Sequence, residues 1–313
     1  MGQLPRVIRP PSSGLSVSSI IDWPGPARSY YNMTLLTSSP VQKPLRDDAR
    51  RLGPPSAAEV RKQLDELALK YPPDLVPMAK RDVPRMTFSI CLALRHAVPR
   101  PTICDVGGGV CLFSLGLSAL GYDAILIDDF GDDWHGQSAQ GALGLHSRYG
   151  VQIVSTDVLA KGVSLEPGSL DVVTCFDTME HFHHSPKRLF HQLVAALRPN
   201  GIFLLGVPNR VNLRKRVMIP FGGAPWSTMD GWYEQEIFRG HVREPDVPDL
   251  RYICRDLGLD VVDVVGRNWQ GTKSKKRLNR NLARIADHGL RLFPSLCSDL
   301  YIVGRKPATH SRA

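Results

Sequence analysis

From Pro101 onward, short apolar runs alternate with longer segments whose apolar positions recur at helical spacing: TICDV, LFSLGLSAL, AILID, VQIVST, LDVVTCF, RLFHQLVAAL and IFLLGV. Runs that are apolar on both faces suit strands covered on both sides, and their alternation with helices predicts a doubly wound α/β domain with a mostly parallel sheet. The helix after LDVVTCF is well punctuated. Ser185 can cap it, Pro186 suits its first turn, and Leu189, Phe190, Leu193, Val194 and Leu197 form one apolar stripe. Pro199, Asn200 and Gly201 then read as the turn that delivers the chain into IFLLGV.

The flanks differ from this pattern. Residues 1–55 hold many Pro, Ser and Gly without a sustained period and read as a tail that orders locally around SIIDWPGPARSYYNM. Ser56 to Glu59, SAAE, is a capping box followed by Val60, Leu64 and Leu67, so helices are expected over residues 57–97. Residues 210–245 interrupt the alternation with basic, aromatic and Gly-Pro segments and read as an insertion after the fifth strand. The pattern then resumes with LRYICRDLG as a helix, LDVVDVVG as a strand, residues 273–292 as a basic amphipathic helix and DLYIVG as a last strand. The expected organisation is a tail over 1–55, a helical extension over 56–99, the main domain over 100–304 and a short tail over 305–313.

Composition narrows the setting. A chain of 313 residues can bury one sizeable core with appendages. No apolar run is long enough to cross a bilayer, the N-terminus lacks a signal core, and Arg6 occupies a position where a myristoylation signal needs Ser or Thr. Six cysteines are scattered without a CxxC pair, which suits small buried hydrophobes in a reducing compartment, so a cytoplasmic location is expected. A formal net charge of +9 favours anionic partners: nucleic acid, lipid headgroups or phosphorylated substrates.

The chemistry concentrates in residues 102–130, TICDVGGGVCLFSLGLSALGYDAILIDDF. In an open parallel sheet, ligands bind beyond the carboxyl ends of the strands where the winding reverses. Glycine there removes Cβ atoms that would hold a ligand off the backbone, which singles out Gly107 and Gly109. The next strand ends at Asp128 and Asp129, where an acid can accept both hydrogen bonds of a ribose diol. A nucleoside ligand is expected. A dinucleotide fingerprint would need a third glycine where Leu112 stands. A sulfonium nucleoside has no pyrophosphate to seat and needs none.

With Asp105, Gly107 and Gly109 in register, DVGGGVC resembles the first motif of the class I methyltransferases that use S-adenosyl-L-methionine, and the resemblance extends over roughly residues 100–304. It implies a Rossmann-like, seven-stranded sheet whose antiparallel last strand is DLYIVGRK. Cys111 departs from the family's usual glycine, so the turn there is expected to be reshaped or the cofactor's carboxylate end shifted. By resemblance, Ser155, Thr156 and Asp157 follow the third strand where the family contacts adenine, with Val158 beside them. Phe176 and Asp177 border the cofactor, and His181 faces the transferred methyl. The expected cofactor-binding residues are Asp105, Gly107, Gly109, Asp128 with Asp129 as its alternative, Asp157, Val158 and Phe176.

A hydroxyl acceptor must lose its proton, and neutral histidine titrates in the useful range, so His181 is the candidate base. Its bland alternative is packing at the strand end. Glu180, His181, His183 and His184 share no single strand or helix face, and no bound metal is expected. In the insertion, Trp226, Trp232, Tyr233 and Phe238 could stack on a ring, and Arg210, Arg214, Arg239 or His241 could hold an anion; a small packed subdomain is the alternative. GHVREP, GRNWQG and PSLCSDLYIVGRK resemble a bacterial subgroup associated with cell-surface glycan and glycolipid synthesis, which implies a small-molecule, glycan or lipid-linked acceptor methylated at oxygen. The 273–292 helix could rest on anionic membrane at its inner face, or simply cover the sheet. The rival readings are an RNA or protein methyltransferase, a non-catalytic cofactor-binding subunit, and a nicotinamide-dependent oxidoreductase. No RNA-binding module is visible, so nucleic acid is not an expected partner.

Overall fold

The capping box at Ser56 is formed: its hydroxyl accepts the Glu59 amide (3.3 Å), and the Glu59 carboxylate accepts the Ser56 amide (2.8 Å). In this computed structural model residues 53–131, 136–223, 227–269 and 287–308 are described. The expectations for the tail up to residue 52, for Trp226 and for the basic helix up to residue 286 lie outside the described residues.

Two N-terminal helices, α1 (Ala57–Ala68) and α2 (Val76–His96), precede β1 (Thr102–Val106), α3 (Leu112–Ala119), β2 (Asp123–Asp128), α4 (Gly136–Arg148), β3 (Gln152–Ser155) and β4 (Leu170–Phe176). Then follow α5 (Lys187–Ala196), β5 (Leu197–Pro208), α6 (Leu213–Met218), α7 (Met229–Tyr233), α8 (Val247–Asp256), β6 (Asp260–Arg267) and β7 (Asp299–Arg305). The strands form one seven-stranded sheet in the order β3-β2-β1-β4-β5-β7-β6. β1 to β5 pair in parallel, and β7 runs antiparallel to both β5 and β6. This is the doubly wound, Rossmann-like architecture that the run pattern predicts, and the winding reverses between β1 and β4.

Successive residues of the central strands face opposite sides, as the strand period requires. Val172, Ile202 and Leu204 join one core with α1 to α4, whereas Val173, Phe203 and Leu205 join another with α5 and α8. Each fully buried side chain of the size of Phe190 or Phe203 stabilises the fold by about 1.5–3 kcal/mol relative to exposure. The N-terminal helices share the first core. A Cβ built on Gly116 of α3 would overlap the side chains of Leu64 in α1 and Ile90 in α2, so α3 seats directly on both.

Two boundaries differ from the sequence reading. α5 starts at Lys187 with Pro186 as its cap residue, although the Ser185 hydroxyl does accept the Lys187 amide at 3.3 Å. β5 begins at Leu197, before the Pro199–Gly201 turn, because Leu197 already pairs with Leu170 of β4. Asn200, in the left-handed region at φ 64°, is held within the strand by its amide to the Lys306 carbonyl at 2.9 Å. The insertion after β5 is laid on the surface: α6 and α7 contain no buried residue. Among the described residues, no helix is long and apolar enough to cross a membrane.

Candidate active site

The turn after β1 contains three glycines with three different reasons to be glycine. At Gly107 (φ 72°) a Cβ would overlap the Thr178 side chain, and at Gly108 it would overlap the Asp105 carboxylate. At Gly109 (φ 54°) a Cβ would meet nothing within 4 Å, so the left-handed backbone there faces open space. The sequence reading selected Gly107 and Gly109 and did not register the packing at Gly108. Asp105 is buried beneath the turn, where it accepts the hydroxyls of Ser114 (2.7 Å) and Thr174 (2.9 Å). Burial pushes its carboxyl up to about 6.

Asp128 meets this turn from the end of β2. One carboxylate oxygen accepts the Gly109 amide at 2.8 Å and the other the Phe130 amide at 2.7 Å. Asp129 points outward, is exposed, and accepts the Gly131 amide at 2.9 Å. Of the two acids the sequence offered, only Asp128 touches the glycine turn. The Thr156 amide donates to the Asp128 carbonyl at 2.9 Å, which brings the β3 exit alongside. There Asp157 accepts the amides of Leu159 (3.2 Å) and Ala160 (3.0 Å), and Val158 is buried in the core on the α5 side.

The turn is also fastened from above. The Tyr71 hydroxyl donates to the Val110 carbonyl at 2.9 Å, and His146 Nε2 lies 3.0 Å from the Cys111 carbonyl. Cys111 has an ordinary extended backbone (φ −74°), which any residue adopts, and heads α3. Burial pushes its thiol up to about 11.

At the end of β4, the half-buried Phe176 ring meets Phe113 at 5.2 Å and Tyr301 at 5.8 Å, both edge to face. Asp177 follows in the left-handed region at φ 50°, a conformation unfavourable for a non-glycine residue, and is ion-paired with Arg85 of α2. Arg85 also reaches Asp82. Sequence reasoning missed Arg85 and Tyr71, since a lone Arg or Tyr on a helical segment carries no local signal. Tyr301 and Trp269 stood in quoted segments, but nothing local marked them as neighbours of the site.

His181 ends a short 3-10 turn, Met179–His181, and its Nδ1 lies 3.1 Å from the Arg239 carbonyl. A carbonyl only accepts, so Nδ1 carries the proton and Nε2 is left as the basic nitrogen. His241 from the insertion stands edge to face with His181, at 4.9 Å between ring centroids, and its Nδ1 is 2.8 Å from Glu244. Glu180 is only 1% exposed, and one of its carboxylate oxygens has no hydrogen-bond partner among the described residues. Burial pushes this carboxyl up to about 8. Its carbonyl accepts the Val242 amide at 2.7 Å, tying the insertion to the site. Glu180, His181 and His241 each offer one atom within 4.8 Å of the others, a spacing compatible with ligands of one cation. His183 and His184 do not join them; His183 is spent on the Phe238 carbonyl at 3.2 Å.

Among the residues expected at the acceptor, Trp232 and Tyr233 are exposed, and Arg210 is paired with Asp246 and Asp249. The structure brings His241 to His181 and leaves the exposed aromatics at the surface.

A glycine turn after the first strand, an acid from the second and a winding reversal between the first and fourth strands describe a nucleoside-binding α/β enzyme. A family model described as a methyltransferase domain matches residues 58–264, and the chain belongs to this family. S-adenosylmethionine is the methyl donor that its first motif implies. A curated ubiquinone biosynthesis O-methyltransferase from Cupriavidus pinatubonensis is 27% identical over 187 residues, covering 57% of this chain and 68% of the relative. The protein of that name from Burkholderia thailandensis is 27% identical over 177 residues, covering 55% and 70%. Among solved structures, a SAM-dependent methyltransferase from Archaeoglobus fulgidus is 15% identical with a TM-score of 0.47, covering 72% of this chain and 94% of that one.

Proposed function

We propose that this enzyme transfers the methyl group of S-adenosylmethionine to a hydroxyl oxygen of a small or lipid-linked acceptor. The observation that carries the reading is the contact of Asp128 with Gly109, which joins the acid of one strand end to the bare backbone of the next. The bound cofactor supplies an electrophilic sulfonium methyl.

The chain's residues supply the rest. The Asp128 carboxylate accepts the ribose hydroxyls, exchanging the Gly109 amide for them, and the open backbone at Gly109 admits the amino-acid end. Arg85, ion-paired with Asp177 and Asp82, fixes the β4 exit beside that end. Phe113, Phe176 and Tyr301 form an apolar wall that keeps water from the reacting atoms. His181 Nε2 takes the acceptor's proton while Nδ1–H remains on the Arg239 carbonyl. Curated relatives named for O-methylation in ubiquinone biosynthesis support an oxygen acceptor on a small molecule.

A calorimetric titration with S-adenosylmethionine, followed by transfer of radiolabel from it into fractionated small molecules and lipids, tests the reading. Cofactor binding with a labelled hydroxyl product is expected; absence of cofactor binding overturns it.

One further observation favours peripheral contact with anionic membrane. Of the four basic side chains in residues 210–223, Arg214 and Arg216 form no ion pair with a carboxylate among the described residues, and nearby Phe221 is 87% exposed beside exposed Val217 and Ile219. Co-sedimentation with phosphatidylglycerol vesicles, weakened in Phe221→Ser, is the expected result; equal sedimentation with neutral vesicles would remove it.

A further inference from the structure

Three basic residues around the acceptor face are held by acids. Arg85 is held by Asp177 and Asp82, Arg210 by Asp246 and Asp249, and Lys215 by Glu244. Arg267 is different. It ends β6, and because β5 and β6 both pair antiparallel with β7, its end of β6 lies at the same sheet edge as the end of β5. The register sets Pro208, Asp299 and Arg267 side by side.

The Arg267 guanidinium lies over the Phe88 ring, 4.1 Å from its centroid. Phe88 meets Trp269 at 5.7 Å and Tyr301 at 4.9 Å, and Tyr301 meets Phe176 at 5.8 Å. The Trp269 indole N–H donates to the Tyr301 hydroxyl at 2.9 Å, which locks the orientation of both rings. A continuous chain of edge-to-face and tilted aromatic contacts therefore runs from Phe176 to Arg267, with Tyr301 buried and Phe88 and Trp269 half-buried.

The charge at its far end is undercompensated. Arg267 donates to its neighbour's carbonyl, that of Gly266, at 2.8 Å, and among the described residues no carboxylate forms an ion pair with it. Asp287 is committed elsewhere, to the Asn268 amide at 2.8 Å and to Arg291. Burial, and then the like charge of Arg291, depress the Arg267 pKa, and the charge of nearby Asp287 offsets this only in part. A half-buried cation in this state gains from any anion that reaches it. A guanidinium stacked on a ring keeps its N–H donors in its own plane, where a planar carboxylate matches two of them at once.

We infer that Arg267, with Phe88 and Trp269, forms an acceptor subsite that takes the carboxylate of an aromatic hydroxy acid whose ring packs against the half-buried Phe88 and Trp269. The inference rests on the methyl-transfer reading for the acceptor's presence at this edge, but binding alone can test it.

The test titrates the full-length protein, with and without S-adenosylhomocysteine, with protocatechuate and with catechol, which share a ring and a hydroxyl pair and differ in the carboxylate. Protocatechuate is expected to bind about tenfold or more tightly than catechol, the scale of one charge-assisted contact. Arg267→Met should erase that preference and leave catechol affinity unchanged. Arg267→Lys, which keeps the charge and loses the planar fork, should retain only part of it and covers the case in which Arg267→Met does not fold. Equal affinities in the wild type, no binding of either compound, or a preference that survives in both variants overturns the inference. Phenyl phosphate binding more tightly than protocatechuate would overturn the assignment to a carboxylate. A parallel titration with S-adenosylmethionine separates the two readings: cofactor binding without a preference for the acid removes the subsite alone, whereas a preference for the acid without cofactor binding removes the methyl-transfer reading.

Discussion

Asp128 holds Gly109: the carboxylate that ends β2 accepts, at 2.8 Å, the amide in the glycine turn that ends β1. The acid is thus already oriented by the backbone beside which we propose the cofactor lies. Asp128→Ala removes both that restraint and the acceptor for the ribose, and a lost charge-assisted hydrogen bond costs about 1.5–3 kcal/mol. Calorimetric affinity for S-adenosylmethionine should fall accordingly. An unchanged affinity would place the nucleoside elsewhere.

The glycines should separate stability from binding. Gly107→Ala forces a Cβ into Thr178 in addition to a left-handed backbone, whereas at Gly109 the backbone alone is strained, at about 1–2 kcal/mol. Gly107→Ala should therefore lower the melting temperature more than Gly109→Ala. For the cofactor, Gly109→Ala should already be damaging, because its new methyl points into the open space. Melting curves and titrations on the two variants give the two orders directly.

Glu180 predicts a particular pH dependence. Its folded pKa, about 8, lies above the unfolded value of about 4.3, so the folded state retains a proton that the unfolded state has lost. Stability from this group is full below the unfolded pKa and declines as pH rises toward the folded one. Glu180→Gln, neutral throughout, should melt close to the wild type near the unfolded value and progressively above it as pH approaches the folded one. A constant offset between the two melting profiles would show that burial does not perturb this carboxyl.

His181→Ala should leave S-adenosylmethionine affinity intact and reduce turnover by about a hundred- to ten-thousand-fold, the range of general-base catalysis. Full turnover in the variant would make His181 a packing residue.

What the sequence made legible is what local sterics dictate. The turn at Gly107 to Gly109 and the acid at Asp128 could be read because few residues tolerate left-handed backbone, and because strand ends place an acid within reach of such a turn. The cap at Ser56 and the buried stripe of α5 were legible for the same reason. Arg85 was not, since its partner Asp177 lies 92 positions away and only the packing of α2 brings them together. The early start of β5 was missed because pairing of Leu197 with Leu170 overrides the turn chemistry of Pro199–Gly201. His241 appeared as one of several cations in the insertion; its stacking on His181 depends on backbone contacts from Glu180 to Val242 that no motif announces.

The placement of β7 has a consequence for biogenesis. Among the described strands it comes latest in the chain, yet it lies in the sheet's interior between β5 and β6. Until Asp299–Arg305 clear the ribosome, β5 has a raw hydrogen-bonding border and β6 has no neighbour to join. At ordinary translation speeds the intervening stretch takes on the order of ten seconds to make, during which the nascent chain carries a sticky half-sheet. Closure of this sheet is thus timed by elongation, and chaperone demand should be greatest in that interval.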